Sequence, residues 1–164
     1  PQVQVLLERI LFHAGNPDEA IRRLQRAIER EPRSATATFF LGVVYEHVGR
    51  YTEALAMYAK HKVLRGNRPD DSPYLAIRAR VYARMGKRSE AKSILKTLKP
   101  VNPDFRASAY AALGDNNEAF RLLFQKVENR EETLYSIKTE PQFASLHSDP
   151  RWKELLARMN LLLD

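Results

Sequence analysis

Apolar residues recur every three or four positions along most of the chain, and no run of β-branched residues alternates with a period of two. This spacing puts the apolar side chains on one face of a helix, so it predicts an all-α protein. The apolar stripes come in pairs, one before and one after a glycine. Stripes before a glycine contain Ile10, Leu11 and Ala14, then Val44, Tyr45 and Val48, then Val81, Tyr82 and Met85, then Ala109, Tyr110 and Leu113. Stripes after it contain Ile21, Leu24 and Ile28, then Leu55 and Tyr58, then Ile94, Leu95 and Leu98, then Phe120, Leu123 and Val127.

Four segments share a glycine, a short polar stretch and a Glu-Ala pair. They are residues 15–20, 49–54, 86–91 and 114–119, and their alanines are 34, 37 and 28 residues apart. A spacing of 34 residues is typical of two-helix repeats. The glycine is expected to end the first helix in the left-handed conformation. The second helix of each repeat is expected to be capped by Asp18, Thr52, Ser89 or Asn117. In the first three repeats this helix is expected to end at Pro32, Gly66 and Pro103.

In the second repeat, Leu41-Gly42, Tyr45, Ala54 and Tyr58 match the tetratricopeptide repeat pattern, so the chain resembles that family. The resemblance implies a right-handed superhelical solenoid of antiparallel helix pairs. We expect one domain, 1–164, with repeats at about 1–34, 35–71, 72–103 and 104–130. Two residues depart from the pattern, because Arg78 replaces a leucine and His61 a small residue.

Residues 131–164 do not repeat and are expected to form a helical cap over the last exposed core. The stretch 131–138 predicts a short helix. Asp149 and Pro150 are expected to open a final helix with the apolar face Trp152, Leu155, Leu156 and Met159. The segments 140–143 and 148–161 resemble the closing segment of tetratricopeptide domains in multidomain bacterial signalling and regulatory proteins. Since the chain begins at Pro1, we interpret it as a fragment of a longer protein.

Composition narrows the function classes. The chain has no cysteine, which excludes disulfides, thiolate nucleophiles and zinc–cysteine sites. No apolar stretch is long enough to cross a bilayer, and a cytoplasmic location is expected. No phosphate-binding glycine loop occurs. His147, Ser148 and Asp149 lie side by side in a turn and cannot form a hydrolase triad. We therefore expect no enzyme activity, no metal and no cofactor.

Positive charge concentrates in one repeat. The net charge is +7, and residues 72–103 contain eight basic residues and one acidic residue. Apart from Arg80 and Arg84, these basic residues define a candidate basic patch of Arg78, Lys87, Arg88, Lys92, Lys96 and Lys99. The patch is interpreted as a solvated face, as a landing site for an acidic partner or as a nucleic-acid surface. No aromatic residues alternate with the basic ones, which disfavours nucleic acid.

In the tetratricopeptide family the first helix of each pair lines a concave groove. The resemblance therefore implies a partner-binding groove of Arg9, Phe12, His13, Phe39, Val43, Glu46, His47, Arg80 and Arg84. Arginines grip carboxylates and aromatic side chains anchor apolar groups, so this set fits an acidic peptide. Alternatively, Phe12 and Phe39 pack inside the stack. The residues that bind chaperone tails in one subclass are absent, because Val5, Arg9, Phe40, Pro73 and Ile77 occupy those positions.

The leading interpretation is a protein–protein interaction scaffold, the regulatory part of a larger bacterial protein. Two alternatives stay open. The first helix and the tail Leu161-Leu162-Leu163 could pair two copies in a homodimer. The basic third repeat could bind nucleic acid.

Overall fold

The computed structural model describes residues 15–66, 72–98, 103–129, 137–138 and 140–161, and within these ranges the chain is helical and forms no strand. The helices are α1 Pro17–Arg30, α2 Ala35–His47, α3 Tyr51–Leu64, α4 Ser72–Arg84, α5 Arg88–Thr97, α6 Pro103–Ala112, α7 Asn116–Glu128 and α8 Pro150–Arg158. A 3-10 helix, Pro141–Leu146, precedes α8. The predicted all-α fold is confirmed for these ranges.

The chain divides into two compact units, Pro1–Tyr74 and Leu75–Asp164, with the boundary inside α4. In the first unit α1 packs on α2 and α2 packs on α3. In the second unit α6 packs on α7 and on the 3-10 helix, and α7 contacts α8. Successive helices therefore pack as neighbours, as the paired apolar stripes predict.

Within the described residues, the glycines of the second, third and fourth repeats each end a helix as expected. At the end of α2, the Gly49 amide donates to the Glu46 carbonyl at 3.2 Å and the Arg50 amide donates to the Tyr45 carbonyl at 2.8 Å. These two bonds satisfy helix carbonyls and require a left-handed residue between them, and the φ of Gly49 is +79°. The same pair of bonds follows Tyr82 at Gly86 and Tyr110 at Gly114.

The predicted caps are wrong by two residues. Asp18, Thr52, Ser89 and Asn117 lie at the second helical position, and the N-caps are Asn16, Arg50, Lys87 and Asp115. Of these four N-caps, Asn16 and Asp115 accept a hydrogen bond from a helix amide, whereas Arg50 and Lys87 make no side-chain cap bond. Pro32 follows the end of α1 as expected. Pro103 instead begins α6, because proline lacks only an amide that the first turn leaves unbonded.

Close helix approach builds the core of the first unit. Gly42 on α2 faces the Tyr58 ring on α3, and a Cβ at Gly42 would lie 2.9 Å from the Tyr58 Cε1. Tyr58 and Ala54 are both fully buried. A glycine is thus needed at this position because the ring occupies the space that a side chain would take.

Two apolar clusters form the core of the second unit. The first joins α4, α5 and α6 and consists of Ala76, Ala79, Ala83, Ala91, Leu95, Leu98, Ala109 and Leu113. The second joins α6 and α7 to the C-terminal segment and consists of Ala107, Ala111, Ala119, Phe120, Leu122, Leu123, Ile137, Phe143, Leu146, Trp152, Leu155 and Leu156. Tyr110 packs against both clusters.

The C-terminal segment covers the second cluster. Phe143 and Leu146 of the 3-10 helix and Leu155 of α8 are fully buried. Asp149 caps α8 by accepting a hydrogen bond from the Arg151 amide at 3.0 Å, and Pro150 is the first helical residue, as predicted. The predicted helix at 131–138 lies outside the described residues except for a turn at 137–138.

Candidate functional site

The outer side of α2 carries a row of partly or fully exposed residues, which we call the α2 row. Thr36 and His47 are exposed, and Phe40 and Val43 are half-buried. Their spacing of four, three and four residues aligns them along one helix face. Buried residues of α2 lie on the remaining faces, among them Ala37, Leu41, Val44 and Tyr45. The row offers a partner two apolar side chains between two polar ends.

Aromatic contacts hold the α2 row beside a rigid cluster. The half-buried Phe39 ring lies 5.6 Å from both Phe40 and Tyr58, and 5.1 Å from His61, measured between ring centroids. The His61 Nδ1 is 2.9 Å from the Ala35 carbonyl oxygen, which ties α3 to the start of α2. Phe39 therefore both packs and stays partly accessible. The imidazole of His61, where the family pattern has a small residue, fills the space beside this ring.

Sequence reasoning did not assign Phe40 to the surface that Val43 and His47 share. The spacing signal was present, because Phe40 lies four residues after Thr36 and three before Val43. In the subclass that binds chaperone tails, the position of Phe40 carries a polar residue. Phe40 was therefore considered only as a departure from that pattern. Its partial exposure in the structure adds it to the α2 row.

Glu46 is placed differently from the expectation of a groove residue. It is only 4% exposed, and its Oε2 accepts a hydrogen bond from the Tyr58 hydroxyl at 2.8 Å. A carboxylate in such a position is held by its internal partners, because an unbonded buried charge is costly. Within the first unit, Glu46 therefore joins α2 to α3.

Arg80 is also buried, at 3% exposure, in the second unit. Its guanidinium donates to the Ser108 hydroxyl at 3.2 Å and to the Gln142 Oε1 at 2.8 Å, linking α4 to α6 and to the 3-10 helix. Arg84, one turn further along α4, is half-buried. The expected grip of Arg80 on a partner carboxylate is thus replaced by internal hydrogen bonds, while Arg9, Phe12 and His13 lie outside the described residues.

The basic patch divides into anchored and solvent-facing side chains. The Arg78 guanidinium lies 5.5 Å from the Tyr82 ring centroid, and the Lys87 ammonium lies 5.7 Å from it. Arg88 donates to the Leu113 carbonyl at 2.6 Å, at the end of α6. Lys92 and Lys96 are exposed on α5, and Lys99 lies outside the described residues. Arg88, Lys92 and Lys96 follow one another at intervals of one helical turn.

The described residues include histidine and carboxylate side chains that were considered for reactive chemistry. They hold no group of three or more His, Asp or Glu side chains that could bind a metal ion. The His147 ring stacks on Trp152 with centroids 4.6 Å apart. The Arg151 guanidinium bonds the Asp149 carboxylate and lowers its pKa to about 2, so this carboxylate is committed to the helix cap. The described helices also include none long and apolar enough to span a membrane.

Comparison with known proteins agrees with the helical pairs. A family model described as tetratricopeptide repeat matches residues 9–72, which include the α1–α3 arrangement and the Gly42–Tyr58 contact. No curated protein matches the chain. Tetratricopeptide repeats generally mediate protein–protein interaction, and proteins built from them are typically non-enzymatic scaffolds. The glycine turns, the helix pairs and the match over residues 9–72 together identify this part of the chain as tetratricopeptide repeats.

Proposed function

We propose that the chain is a protein-interaction scaffold, in which a partner segment lies along the α2 row. One observation carries the proposal, namely that Phe40 and Val43 remain partly exposed on one face of a helix whose residues Ala37, Leu41, Val44 and Tyr45 are buried. Half-exposed aromatic and aliphatic side chains supply the anchoring contacts of many interfaces. A family whose members generally bind other proteins makes this the favoured use of such a face.

The surroundings of the α2 row favour a partner with apolar anchors. Glu46, the acidic residue of α2, is turned into the first unit, and the exposed His47 is the basic residue at the end of the row. The row therefore offers apolar contact area with little charge. The Phe39 contacts with Tyr58 and His61 hold the surface before a partner arrives, so the scaffold loses little conformational entropy on binding.

Two valines on neighbouring helices permit a matched test. Val43 belongs to the α2 row, whereas Val63 on α3 is 65% exposed and lies outside it. Peptides are selected from a random displayed library on the unaltered chain and then titrated by calorimetry against Val43→Arg and Val63→Arg. We expect Val43→Arg to weaken binding at least about tenfold, because it removes an apolar anchor and inserts a charge. Val63→Arg should leave the affinity within about twofold.

The result that would overturn the proposal is equally specific. If Val43→Arg and Val63→Arg bind every selected peptide alike, or if no selected peptide binds the soluble chain, the α2 row is not the binding face. Thermal unfolding of both variants separates loss of the surface from loss of the fold. A second variant, His47→Glu, alters the exposed end of the row without touching the core.

We also propose that the scaffold has no catalytic role, needs no cofactor and serves as the regulatory part of a larger bacterial protein. Homodimerisation is the alternative. Leu161 packs against the second apolar cluster, while Leu162 and Leu163 lie outside the described residues. Light scattering over a range of concentrations distinguishes a monomeric scaffold from a self-associating one.

A further inference from the structure

Helix α5 presents a row of cations to solvent, which we call the α5 row and define as Arg88, Lys92 and Lys96. All three residues are exposed. Residues four apart on a helix are neighbours on its surface, with Cβ atoms roughly 5–6 Å apart. A different face of α5 carries the buried Ala91 and Leu95, and the buried Leu98 follows the helix as its C-cap. The row is therefore the outward side of a helix whose inward side is fixed in the core.

The α5 row is electrostatically unfavourable for the helix that carries it. Lys92 has a cation one turn before it and another one turn after it, and like charges at this spacing repel. Arg88 is the first helical residue and Lys87 is the N-cap, so two cations sit at the positive end of the helix dipole. Lys87 makes no side-chain cap bond. Packing accounts for Arg88, which donates to the Leu113 carbonyl, and for Lys87, which lies over the Tyr82 ring, but it gives no reason for Lys92 and Lys96.

Several cations on other helices are paired with an acidic residue one turn away. Glu19 pairs with Arg22 and Arg23 on α1, and elsewhere Arg50 pairs with Glu53, Arg121 with Glu118, and Arg158 with Glu154. Within the described part of the chain, neither Lys92 nor Lys96 has such a partner. The one acidic residue of α5, Glu90, accepts a hydrogen bond from the Ser89 hydroxyl.

We propose that the α5 row is a second docking surface, which binds an acidic protein segment whose carboxylates are spaced one helical turn apart. A helical segment with this spacing places each carboxylate opposite one cation of the row. Sites that break local stability rules are often functional ones, which fits the uncapped, unneutralised helix. The surface is separate from the α2 row and goes beyond the function proposed for it.

Nucleic acid is the competing occupant of a cationic row. Single-stranded binding surfaces combine cations with aromatic side chains on which bases stack. Helix α5 contains no aromatic residue and places Glu90 among its cations. Arg88 also holds one end of the row to the α6 terminus through the Leu113 carbonyl, which fixes the row to its own fold. These features favour carboxylates over a phosphate backbone.

The test uses the whole chain and a fluorescently labelled helical peptide with glutamates one turn apart, read by anisotropy. The variant Lys92→Gln with Lys96→Gln removes two charges from the row. Lys60→Gln with Lys153→Gln is the matched control, because it removes the same charge from two exposed lysines on α3 and α8. We expect the row variant to weaken binding at least about fivefold and the control to change it by less than about twofold. Binding should also weaken as salt rises.

Each other outcome overturns the proposal. Absence of binding by the unaltered chain shows that the α5 row does not dock an acidic segment, and equal losses in the row variant and the control show that net charge alone acts. Tighter binding of single- or double-stranded DNA than of the peptide, lost in the same row variant, assigns the surface to nucleic acid. The variant Val43→Arg should bind the glutamate peptide with unchanged affinity. The α5 row variant should still bind the peptides that were selected on the α2 row. Failure of one site is therefore distinguishable from failure of the other.

Discussion

Helices α5 and α7 occupy the same place in consecutive repeats, but they differ in how their N-terminus is capped and in whether their surface cations are paired. Both follow a glycine turn and begin with a polar stretch and a Glu-Ala pair. On α7, Asp115 caps the helix by accepting a hydrogen bond from the Glu118 amide at 3.2 Å, and Glu118 pairs with Arg121 at 2.6 Å. On α5, Lys87 is the N-cap without a side-chain bond and Arg88 is the first helical residue.

The two helices resemble each other where they are buried. Ala91 and Leu95 on α5 correspond in role to Ala119 and Leu123 on α7, and all four are core residues. Burial of this apolar face supplies most of the stability of a helix in a folded protein. The comparison teaches that the outer charges of a repeat can vary without loss of the fold.

The largest contrast should appear when a lysine is removed from each helix. Lys126 on α7 is buried and pairs with the Asp104 carboxylate, whereas Lys96 on α5 is exposed. Lys126→Ala should lower the free energy of unfolding by about 3 kcal/mol, because it leaves a buried carboxylate without its ion-pair partner. Lys96→Ala should change it by less than about 0.5 kcal/mol. Urea denaturation followed by circular dichroism measures both, and equal costs would contradict the contrast.

Exchanging the N-cap residues should change the free energy of unfolding in opposite directions on the two helices. Asp115→Lys should destabilise the protein by about 1 kcal/mol, since it removes a cap and places a cation at the positive end of α7. Lys87→Asp should stabilise it by about 0.5 kcal/mol, because the new cap outweighs the lost contact between Lys87 and the Tyr82 ring. Thermal unfolding of the two variants checks the opposite signs. A loss of stability in both would show that the cap of α5 is already optimal.

A smaller effect separates stability from binding on α5 itself. Lys92→Glu should raise the free energy of unfolding by up to about 0.5 kcal/mol, because the glutamate then faces Arg88 and Lys96 at one-turn spacing. The same substitution should weaken binding of the glutamate peptide. Unfolding and anisotropy measurements on this one variant test both effects. A variant that loses stability and keeps its affinity would contradict the proposed use of the row.

The smallest expected effect concerns pH. Arg121 lowers the pKa of Glu118 on α7 by hydrogen bonding to its carboxylate. A carboxyl with a lowered folded-state pKa stabilises the protein above its unfolded pKa of about 4.3, and this stability is lost as the pH falls through the folded pKa. Glu118→Gln should therefore cost a few tenths of a kcal/mol at pH 7 and nothing in strong acid. Unfolding at several pH values measures the difference, and a cost that does not depend on pH would contradict it.

The sequence predicted the parts of the fold that depend on neighbouring residues. The glycine turns, the apolar stripes and the Asp149-Pro150 helix start are local signals, and the structure confirms those that fall on its described residues. The caps were misplaced by two residues because each of these helices begins two residues after its glycine, which puts the residue between them at the N-cap whether or not its side chain can cap, as at Arg50 and Lys87. Here backbone geometry decides, and it selects Asn16 in place of Asp18.

The candidate site was harder to predict because exposure depends on distant residues. Glu46 is buried by a partner twelve residues away, Tyr58, and Arg80 by one sixty-two residues away, Gln142. Helical register gives the direction of a side chain, but it does not show whether a distant part of the chain forms a hydrogen bond with that side chain. The α5 row could be predicted more directly, since its one-turn spacing is visible in the sequence, as is the absence of an acidic residue three or four positions from any of its members.

A nuclear magnetic resonance titration of the isotope-labelled chain with the glutamate peptide tests the central claim most directly. If α5 carries its cations for an acidic partner, the backbone amide shifts should concentrate in Arg88–Thr97 and leave α7 and the α2 row unchanged. Shifts spread over the exposed basic residues of both helices, or no shifts at all, would contradict the account.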